Sequence, residues 1–477
     1  MLQSFNKTTF RMENLNYSRN ILVFSILAFF VGCTNQHTIP TTKKQDNLTI
    51  NKKNLEDEPF KSIDKFNQGK IVKTTISNEI KVYKNKRIYQ KELLEILRTD
   101  KYASLCSSKK LYLQVKDMKD SDNKDKLLEK LLVNYTKNLA NSCINIKDMN
   151  KKLAYRKAKK IKSSYKVYYQ KVNENKILNQ YRSNQVSIEK ILYPYIPKHP
   201  NFKKLIKALH TKKLSKNATA KLRLNIERFK IMKEYNSSNF IELNIPSFRF
   251  NFYEKGRKSM SFGTVVGDYE NQTPVLSSKL SYFIMNPAWN IPDSIAKKTI
   301  IPRMLKDKRY LAKKHIEIHK NYRLTSKRFK QSDIKWKKYL KPHVRYIPYK
   351  FIQLPSNTNG MGRVKFIFPN QYAVYMHDTI GTWRFKSPKQ GIRAVSHGCV
   401  RLENPLALIK YISTHYTKRS YASVRKDYDS HRMKTVSLSK KLPVYITYQT
   451  AYVDRNSNVH FYKDLYGYDS LQRLNFK

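Results

Sequence analysis

The chain has 477 residues, which is enough for two or three domains, at least one of which can bury a full hydrophobic core. Its 95 Lys and Arg residues outnumber its 35 Asp and Glu residues and give a formal net charge of +60, which favours contact with polyanions. The excess is not confined to one stripe, and neither zinc-finger spacing nor an aromatic-interleaved basic groove accompanies it. The composition therefore argues against a dedicated nucleic-acid-binding protein.

The N-terminus has the pattern of an export signal. Three basic residues precede an apolar run over residues 21–32, which is too short to span a bilayer comfortably and ends just before Cys33. Residues 1–33 resemble a bacterial lipoprotein signal, in which the cysteine becomes the lipidated N-terminus. We therefore expect a periplasmic protein attached to the membrane through Cys33. The alternatives are an ordinary cleaved signal and an uncleaved anchor.

Two segments of different amino-acid composition follow. Residues 34–59 are polar, with few large apolar side chains, and are predicted to be a flexible tether. Between Lys70 and Tyr193 there is neither Gly nor Pro, and leucines recur at helical spacing. This pattern predicts a mainly α-helical scaffold domain over residues 60–238.

Two cysteines, Cys106 and Cys143, lie within the predicted scaffold. In an oxidising compartment they can form a disulfide that ties two helices together. They can equally remain buried thiols, because the sequence does not show whether their Cα atoms are close.

The amino-acid composition changes again at residue 239. Short β-rich runs appear, and eight of the 11 glycines lie between Gly256 and Gly398. Residues 239–455 are predicted to form a mainly β domain, followed by a C-terminal tail over 456–477. An insertion over 300–350, dense in Lys and Arg and partly helical, is either a lid over a site or a long solvated loop. The predicted fold class is α+β.

The segment Ser396-His397-Gly398-Cys399 carries the chemistry. A thiol that a base or a positive neighbour deprotonates is a nucleophile for carbonyl carbons. Gly398 has no Cβ, so the backbone can approach a bound carbonyl, and the amides of Gly398 and Cys399 are candidates for stabilising an oxyanion. The alternative is that Cys399 is a buried apolar filler.

Two histidines compete for the role of base. His397 alternates with Cys399, so the two side chains share one face of an extended segment. His377 closes an apolar run and is expected at a strand end. Asp378 follows it and can fix the imidazole tautomer through its carbonyl or its carboxylate. Geometry inferred from the sequence does not rank the two histidines.

The stretch from Phe240 to Val453 resembles the catalytic domain of the L,D-transpeptidases, the YkuD-type cysteine enzymes of the bacterial cell wall. The Ser-His-Gly-Cys segment followed by Arg401 matches the family signature, and His377 stands where the upstream histidine is expected. Three further blocks resemble the larger periplasmic, YcbB-like subfamily, which has a helical scaffold and a capping insertion: Gln272 to Pro274, Asn286 to Pro292 and Gly362 to Phe366.

The resemblance implies roles for individual residues. Cys399 would be the nucleophile and His377 the general acid and base, oriented by the carbonyl of Asp378. His397 would help to hold the thiolate and the oxyanion region. Arg401 would clamp a substrate carboxylate, with a structural ion pair as the alternative. Three further substrate-binding candidates are Ser396, Trp289 and Tyr253, of which the last two have core packing as the alternative.

The implied reaction is acyl transfer between peptidoglycan stem peptides through a Cys399 thioester, with no metal and no cofactor. Water as acceptor would make the protein an L,D-carboxypeptidase, and a protein lysine would make it an anchoring transpeptidase. A non-catalytic, cationic wall-binding lipoprotein is the alternative of another class. Relatives often carry a peptidoglycan-binding helical module, but residues 60–235 contain no convincing copy. The sequence does not predict the oligomeric state.

Overall fold

The computed structural model describes residues 86–144, 165–235, 237–344, 346–386 and 393–472. The predicted export signal, the tether and Cys33 lie outside these residues. A search of the described helices finds none with the length and apolar character needed to cross a membrane.

The N-terminal part is helical. Four of its helices begin at a Ser or Asn whose side chain accepts a hydrogen bond from the amide three residues further on, which satisfies one of the free donors of the first turn. The helices are α1 (Lys86–Arg98), α2 (Lys109–Val115), α3 (Asp122–Asn141), α4 (Glu174–Ser183), α5 (Ile188–Leu192), α6 (Pro200–Thr211) and α7 (Lys216–Lys230).

Apolar faces of these helices share one core. Leu93, Leu128 and Leu131 are fully buried in it, and Ala451 and Val453 from the C-terminal part of the chain complete it. A disulfide joins Cys106, just before α2, to Cys143, just after α3, with 6.2 Å between the Cα atoms. The pair that the sequence left open is therefore bonded in this structure, and it links the two ends of the α2–α3 region.

Strands dominate from residue 240 onwards, which confirms the predicted order of a helical region followed by a mainly β domain. The strands are β1 (Phe240–Asn244), β2 (Arg249–Glu254), β3 (Arg257–Gly267), β4 (Leu276–Met285), β5 (Trp289–Ile291), β6 (Ile316–His319), β7 (Arg328–Phe329), β8 (Lys350–Gln353), β9 (Val364–Ile367), β10 (Met376–His377), β11 (Ala394–Ser396), β12 (Val400–Leu402), β13 (Lys434–Thr447), β14 (Ala451–Val453) and β15 (Val459–Phe461).

Nine strands form the main sheet in the order β11-β3-β12-β10-β9-β4-β13-β1-β2. The long strand β3 pairs with β2 through its first half and with β12 through its second half, so the sheet closes on itself. Its interior is filled by apolar side chains such as Phe250, Phe283 and Phe366, all fully buried. Two helices, α12 (Pro405–Tyr416) and α13 (Tyr421–Asp429), follow β12 and pack on this core.

The segment between β4 and β9 contains a subdomain with its own sheet and core. Strands β5, β8, β6 and β7 pair in that order. Short helices, among them α9 (Ile301–Lys306) after α8 (Asp293–Ile295), and α10 (Tyr310–Lys313), cover the sheet. Trp336 and Phe351 are buried at the centre of its core. The insertion over 300–350 is thus part of a folded unit, which we call the capping subdomain (residues 289–353).

The C-terminal residues fold back on the scaffold. The β14–β15 hairpin lies against α6, where Asn201 donates a 2.9 Å hydrogen bond to the carbonyl of Val453. The last helix, α14 (Tyr468–Leu471), carries Asp469, which pairs with Arg228 of α7 at 2.7 Å. Another short helix, α11 (Trp383–Lys386), lies between β10 and β11.

Candidate active site

Three polar residues lie in one row across neighbouring strands of the main sheet. In the antiparallel pair β9–β10, Lys365 is opposite His377, and in the parallel pair β10–β12, His377 is opposite Arg401. Residues directly opposite each other in a ladder project from the same face of a sheet. The row therefore places two cations, one on each side of His377.

The Ser-His-Gly-Cys segment forms a tight turn between β11 and β12. The buried hydroxyl of Ser396 donates to the carbonyl of Cys399 at 2.6 Å and accepts from the amide of Gly398 at 3.2 Å. The carbonyl of Gly398 accepts from the hydroxyl of Thr273 at 2.9 Å. Gly398 has a φ of 106°, a conformation that favours glycine because it has no Cβ.

These contacts change the expected use of two residues. Ser396 is a candidate for contacting substrate by resemblance, yet its side chain is buried and holds the turn together. The amide of Gly398 is expected to face an oxyanion, yet in this structure it is bonded to Ser396. The physical reason is local: a Ser two residues before the glycine satisfies the amide that a tight turn would otherwise leave without an acceptor.

Cys399 directly precedes β12, two residues before Arg401, and is partly exposed. The amide of the next residue, Val400, donates a 2.9 Å hydrogen bond to the backbone carbonyl of Tyr375, which ties this end of the segment to the chain just before β10. Burial raises the pKa of the Cys399 thiol, and this effect is opposed by the backbone of Tyr375 and by the charges of Lys365 and Arg401. The nucleophile candidate is therefore a thiol whose anion is stabilised by two cations.

His377 is buried at the end of β10. Its Nδ1 lies 2.6 Å from the carbonyl oxygen of Asp378. Burial lowers the pKa of His377 to about 3, and the nearby charge of Arg401 acts in the same direction, while the carbonyls of Asp378 and Met361 oppose the shift. The imidazole is consequently neutral near pH 7, with Nδ1–H donating to the carbonyl and Nε2 able to accept a proton.

The carboxylate of Asp378 points away from the imidazole. It accepts the amides of Arg363 at 2.8 Å and of Thr379 at 2.7 Å, so it fixes the loop while the carbonyl fixes the ring. Gly362 lies against this backbone with a φ of 62°, and a Cβ there would approach Asp378 to 2.6 Å. Of the two ways in which Asp378 can orient His377, this structure uses the carbonyl.

Arg401 has no carboxylate partner among the residues that the structure describes, and its buried Nε has no hydrogen-bond partner there. Burial and the charge of Arg384 lower the pKa of Arg401. A partly buried guanidinium whose Nε is shielded and unbonded favours an anion from outside the chain over the structural ion pair that the sequence left open.

The remaining candidates are not members of the row. His397 is exposed. The ring of Trp289 packs on Gly360, whose neighbour Met361 directs its carbonyl to His377, so Trp289 supports the site from the capping subdomain. Tyr253 is buried against Phe240.

Tyr253 pairs with Lys258 of β3, whereas Arg401 pairs with Val265 of the same strand. At about 3.3 Å per residue, this separates the two positions by roughly 20 Å along the strand. The structure therefore places Tyr253 in a core cluster away from Cys399, because its aromatic ring fills the space next to Phe240.

Lys365 lies within the Gly362 to Phe366 block that resembles the larger subfamily, but the sequence predicts no role for it. It is the sole charged residue of the run Val364-Lys365-Phe366-Ile367. The strand spacing that puts it opposite His377 depends on a register that the sequence does not reveal.

Comparison with known proteins agrees with the geometry. The family described as YkuD, L,D-transpeptidase catalytic domain, matches residues 238–446. A curated protein of Haemophilus influenzae named "Putative L,D-transpeptidase" is 29% identical over 255 residues, which cover 53% of this chain. The match covers 49% of that protein, so the chain spans about half the length of this relative.

Two solved structures are also similar. One, titled as the Ldtfm–avibactam carbamoyl enzyme, is 9% identical with a TM-score of 0.20, and the match covers 44% of this chain and 49% of that chain. The other, an L,D-transpeptidase from Mycobacterium smegmatis, is 14% identical with a TM-score of 0.19, covering 44% and 58%. The sequence match supports the resemblance, because residues 238–446 match the YkuD family of L,D-transpeptidase catalytic domains.

Proposed function

We propose that this chain is a peptidoglycan L,D-transpeptidase of the YcbB-like kind, with Cys399 as its nucleophile. The observation that carries the proposal is the row Lys365–His377–Arg401 beside Cys399, in which a neutral base lies between two cations that have no acidic partner in the described chain. Such a row suits an acyl donor that carries carboxylates and passes through anionic intermediates.

The reaction has two steps. The Cys399 sulfur forms a bond to the carbonyl carbon of the scissile L,D bond of a stem peptide, and its proton passes to His377. Collapse of the tetrahedral intermediate breaks the C–N bond, and His377 returns the proton to the departing D-amino acid. The amine of a second stem peptide then attacks the thioester, loses a proton to His377 and releases the thiol, which leaves a cross-link between two diamino-acid residues.

Individual residues support these steps. The carbonyl of Asp378 keeps Nδ1 protonated, so Nε2 is the atom that accepts the proton. The charges of Lys365 and Arg401 stabilise the sulfur anion. Arg401 provides the candidate clamp for a donor carboxylate, because its guanidinium is partly buried and lacks a counter-ion in the described part of the chain.

The location of the protein is part of the same proposal. A peptidoglycan substrate requires export, and the pattern of residues 1–33 supports a periplasmic protein anchored to the membrane through lipidated Cys33. The capping subdomain adjoins the site through Trp289 and can shield the thioester from water, which favours an amine acceptor over hydrolysis.

Incubation of the full chain with purified disaccharide-tetrapeptide, followed by mass spectrometry of the products, tests the function. We expect a cross-linked dimer that has lost one terminal D-amino acid. Disaccharide-tripeptide alone would instead identify an L,D-carboxypeptidase. Unchanged tetrapeptide would support the non-catalytic wall-binding alternative and contradict the proposal.

A further inference from the structure

The ammonium group of Lys365 occupies an unusual place. It lies 3.7 Å from the centre of the Tyr375 ring, and no carboxylate pairs with it among the residues that the structure describes. Lys365 is partly buried in the middle of the sheet. A desolvated cation without a counter-ion is costly, so such a residue is retained where its charge has a use.

The nearest use is the sulfur of Cys399. Tyr375 links the two groups, because its backbone carbonyl accepts a 2.9 Å hydrogen bond from the amide of Val400, the residue after Cys399, while its ring carries the Lys365 ammonium. Burial lowers the pKa of Lys365 and raises the pKa of the Cys399 thiol, and the attraction between the ammonium and the sulfur anion opposes both shifts. Tyr375 therefore links the Lys365 ammonium to the segment that carries the Cys399 sulfur.

His377 does not supply this positive charge in the resting site. Many cysteine nucleophiles are activated by a protonated histidine. Here burial and two neighbouring cations keep the imidazole neutral at ordinary pH, with a pKa of about 3. A thiolate in this site must therefore draw on other cations, and Lys365 and Arg401 are the two whose charges act on Cys399.

The two cations differ in their surroundings. Arg401 faces the like charge of Arg384 and has unused hydrogen-bond donors suited to a substrate carboxylate. Lys365 is a compact point charge, partly buried on an aromatic face. Charged and titratable groups that act on this region come from β10, β12, β4 and α11: Tyr375, His377, Cys399, Arg401, Tyr282 and Arg384.

We propose that Lys365, held on the ring of Tyr375, is a positioning residue that stabilises negative charge on the Cys399 sulfur. The inference deepens the proposed function, because it concerns the same nucleophile. It separates two tasks in the row: Lys365 acts on the sulfur, and Arg401 remains available for the substrate.

The test measures the thiol itself and needs no peptidoglycan. The rate at which iodoacetamide alkylates Cys399 in the folded full chain is followed from pH 5 to pH 10 by quantitative peptide mass spectrometry. Iodoacetamide is uncharged, so a change in rate reports the thiolate fraction and not attraction of the reagent. The variants are Lys365→Met, which keeps the apolar stem, and Lys365→Arg, which keeps the charge.

The matched control is Lys258→Met. Lys258 is also a partly buried lysine on a tyrosine ring, 5.2 Å from the centre of Tyr452, but it lies at the other end of β3 from the site. Near neutral pH we expect Lys365→Met to slow alkylation about tenfold, equivalent to about one pKa unit for the thiol. Lys365→Arg and Lys258→Met should stay within about threefold of wild type.

Two results would overturn the inference: a Lys365→Met profile that superimposes on wild type, or an equal shift in Lys258→Met. Circular dichroism and thermal unfolding establish that each variant is folded. If Lys365→Met is unfolded, the Lys365→Gln variant replaces it under the same criteria. A shifted alkylation profile in a protein that makes no cross-links would retain the inference while contradicting the proposed function.

Discussion

Two regions of this molecule bury charged groups in opposite ways. At the base of the scaffold, Lys230 and Glu227 are fully buried and lie 2.7 Å apart. Lys230 also donates to the carbonyl of Ala103, and Glu227 accepts the amide of Cys143. In the candidate active site, by contrast, Lys365 and Arg401 have no acidic partner among the described residues.

The contrast separates structural charge from functional charge. A buried pair whose donors and acceptors are all satisfied needs nothing from outside the chain. A buried cation without a partner is tolerated where a reacting group or a ligand supplies the missing negative charge. Here that negative charge would come from the Cys399 thiolate and from a donor peptide.

The largest effect is expected from removing His377, the base of the candidate active site. His377→Ala should lower transpeptidation by roughly two to four orders of magnitude, because no other group in the row accepts the thiol proton. Asp378→Asn is the matched variant, since it keeps the carbonyl that holds Nδ1, and it should stay within about tenfold of wild type. Dimer formation from disaccharide-tetrapeptide measures both. Equal damage in the two variants would show that the Asp378 carboxylate, not the carbonyl, orients the ring.

Breaking the buried Lys230–Glu227 pair should lower the stability of the protein. Lys230→Met leaves the carboxylate of Glu227 buried without its cation and should lower the free energy of unfolding by about 3–5 kcal/mol. Adding Glu227→Gln should recover part of this loss. Arg98→Met removes one member of an exposed pair with Glu95 and should leave the free energy of unfolding nearly unchanged. Urea unfolding measures these values, and a loss below about 1 kcal/mol for Lys230→Met would remove the distinction between the regions.

A smaller effect concerns pH. The pKa of His377 is lowered to about 3 in the folded state from an ordinary value of 6.5, chiefly by burial. Between these values the unfolded chain binds a proton that the folded chain does not, so stability is complete above pH 6.5 and is lost as the pH falls towards 3. His377→Gln should reduce this loss by up to about 1.4 kcal/mol per pH unit.

The control for the pH effect is His210→Gln, because His210 is exposed on α6. Urea unfolding at half-unit steps from pH 7 to pH 4 compares the three proteins. Identical pH slopes for wild type and His377→Gln would mean that His377 is not desolvated in the folded protein.

The sequence predicts the architecture well and the site in part. The absence of Gly and Pro over residues 70–193 indicates helices, because both residues break them, and the signature around Cys399 identifies the nucleophile by its chemistry. The role of Lys365 depends on which residue of β9 faces His377, and strand register is a property of the folded sheet.

Side-chain packing and local hydrogen bonds explain the other differences between the predicted and the observed structure. Tyr253 and Ser396 have polar side chains that suit a binding site, but the fold uses the first as part of an aromatic cluster and the second to close a turn. The apolar run that His377 closes predicts a strand, yet β10 begins only at Met376. Ala373 has a φ of 52°, and the side chain of Asn370 accepts a hydrogen bond from the amide of Val374. Such local competition between side chain and backbone is not visible in hydrophobic periodicity.

The measurement that tests the account most directly is the site of acylation. The full chain is mixed with disaccharide-tetrapeptide, quenched in acid within the first turnover and analysed by intact-mass and peptide mass spectrometry. We predict a thioester on Cys399 that carries the stem peptide without its terminal D-amino acid, and none in Cys399→Ser, whose hydroxyl does not form the anion at working pH. An acyl group on another residue, or cross-linking by Cys399→Ser, would contradict the account.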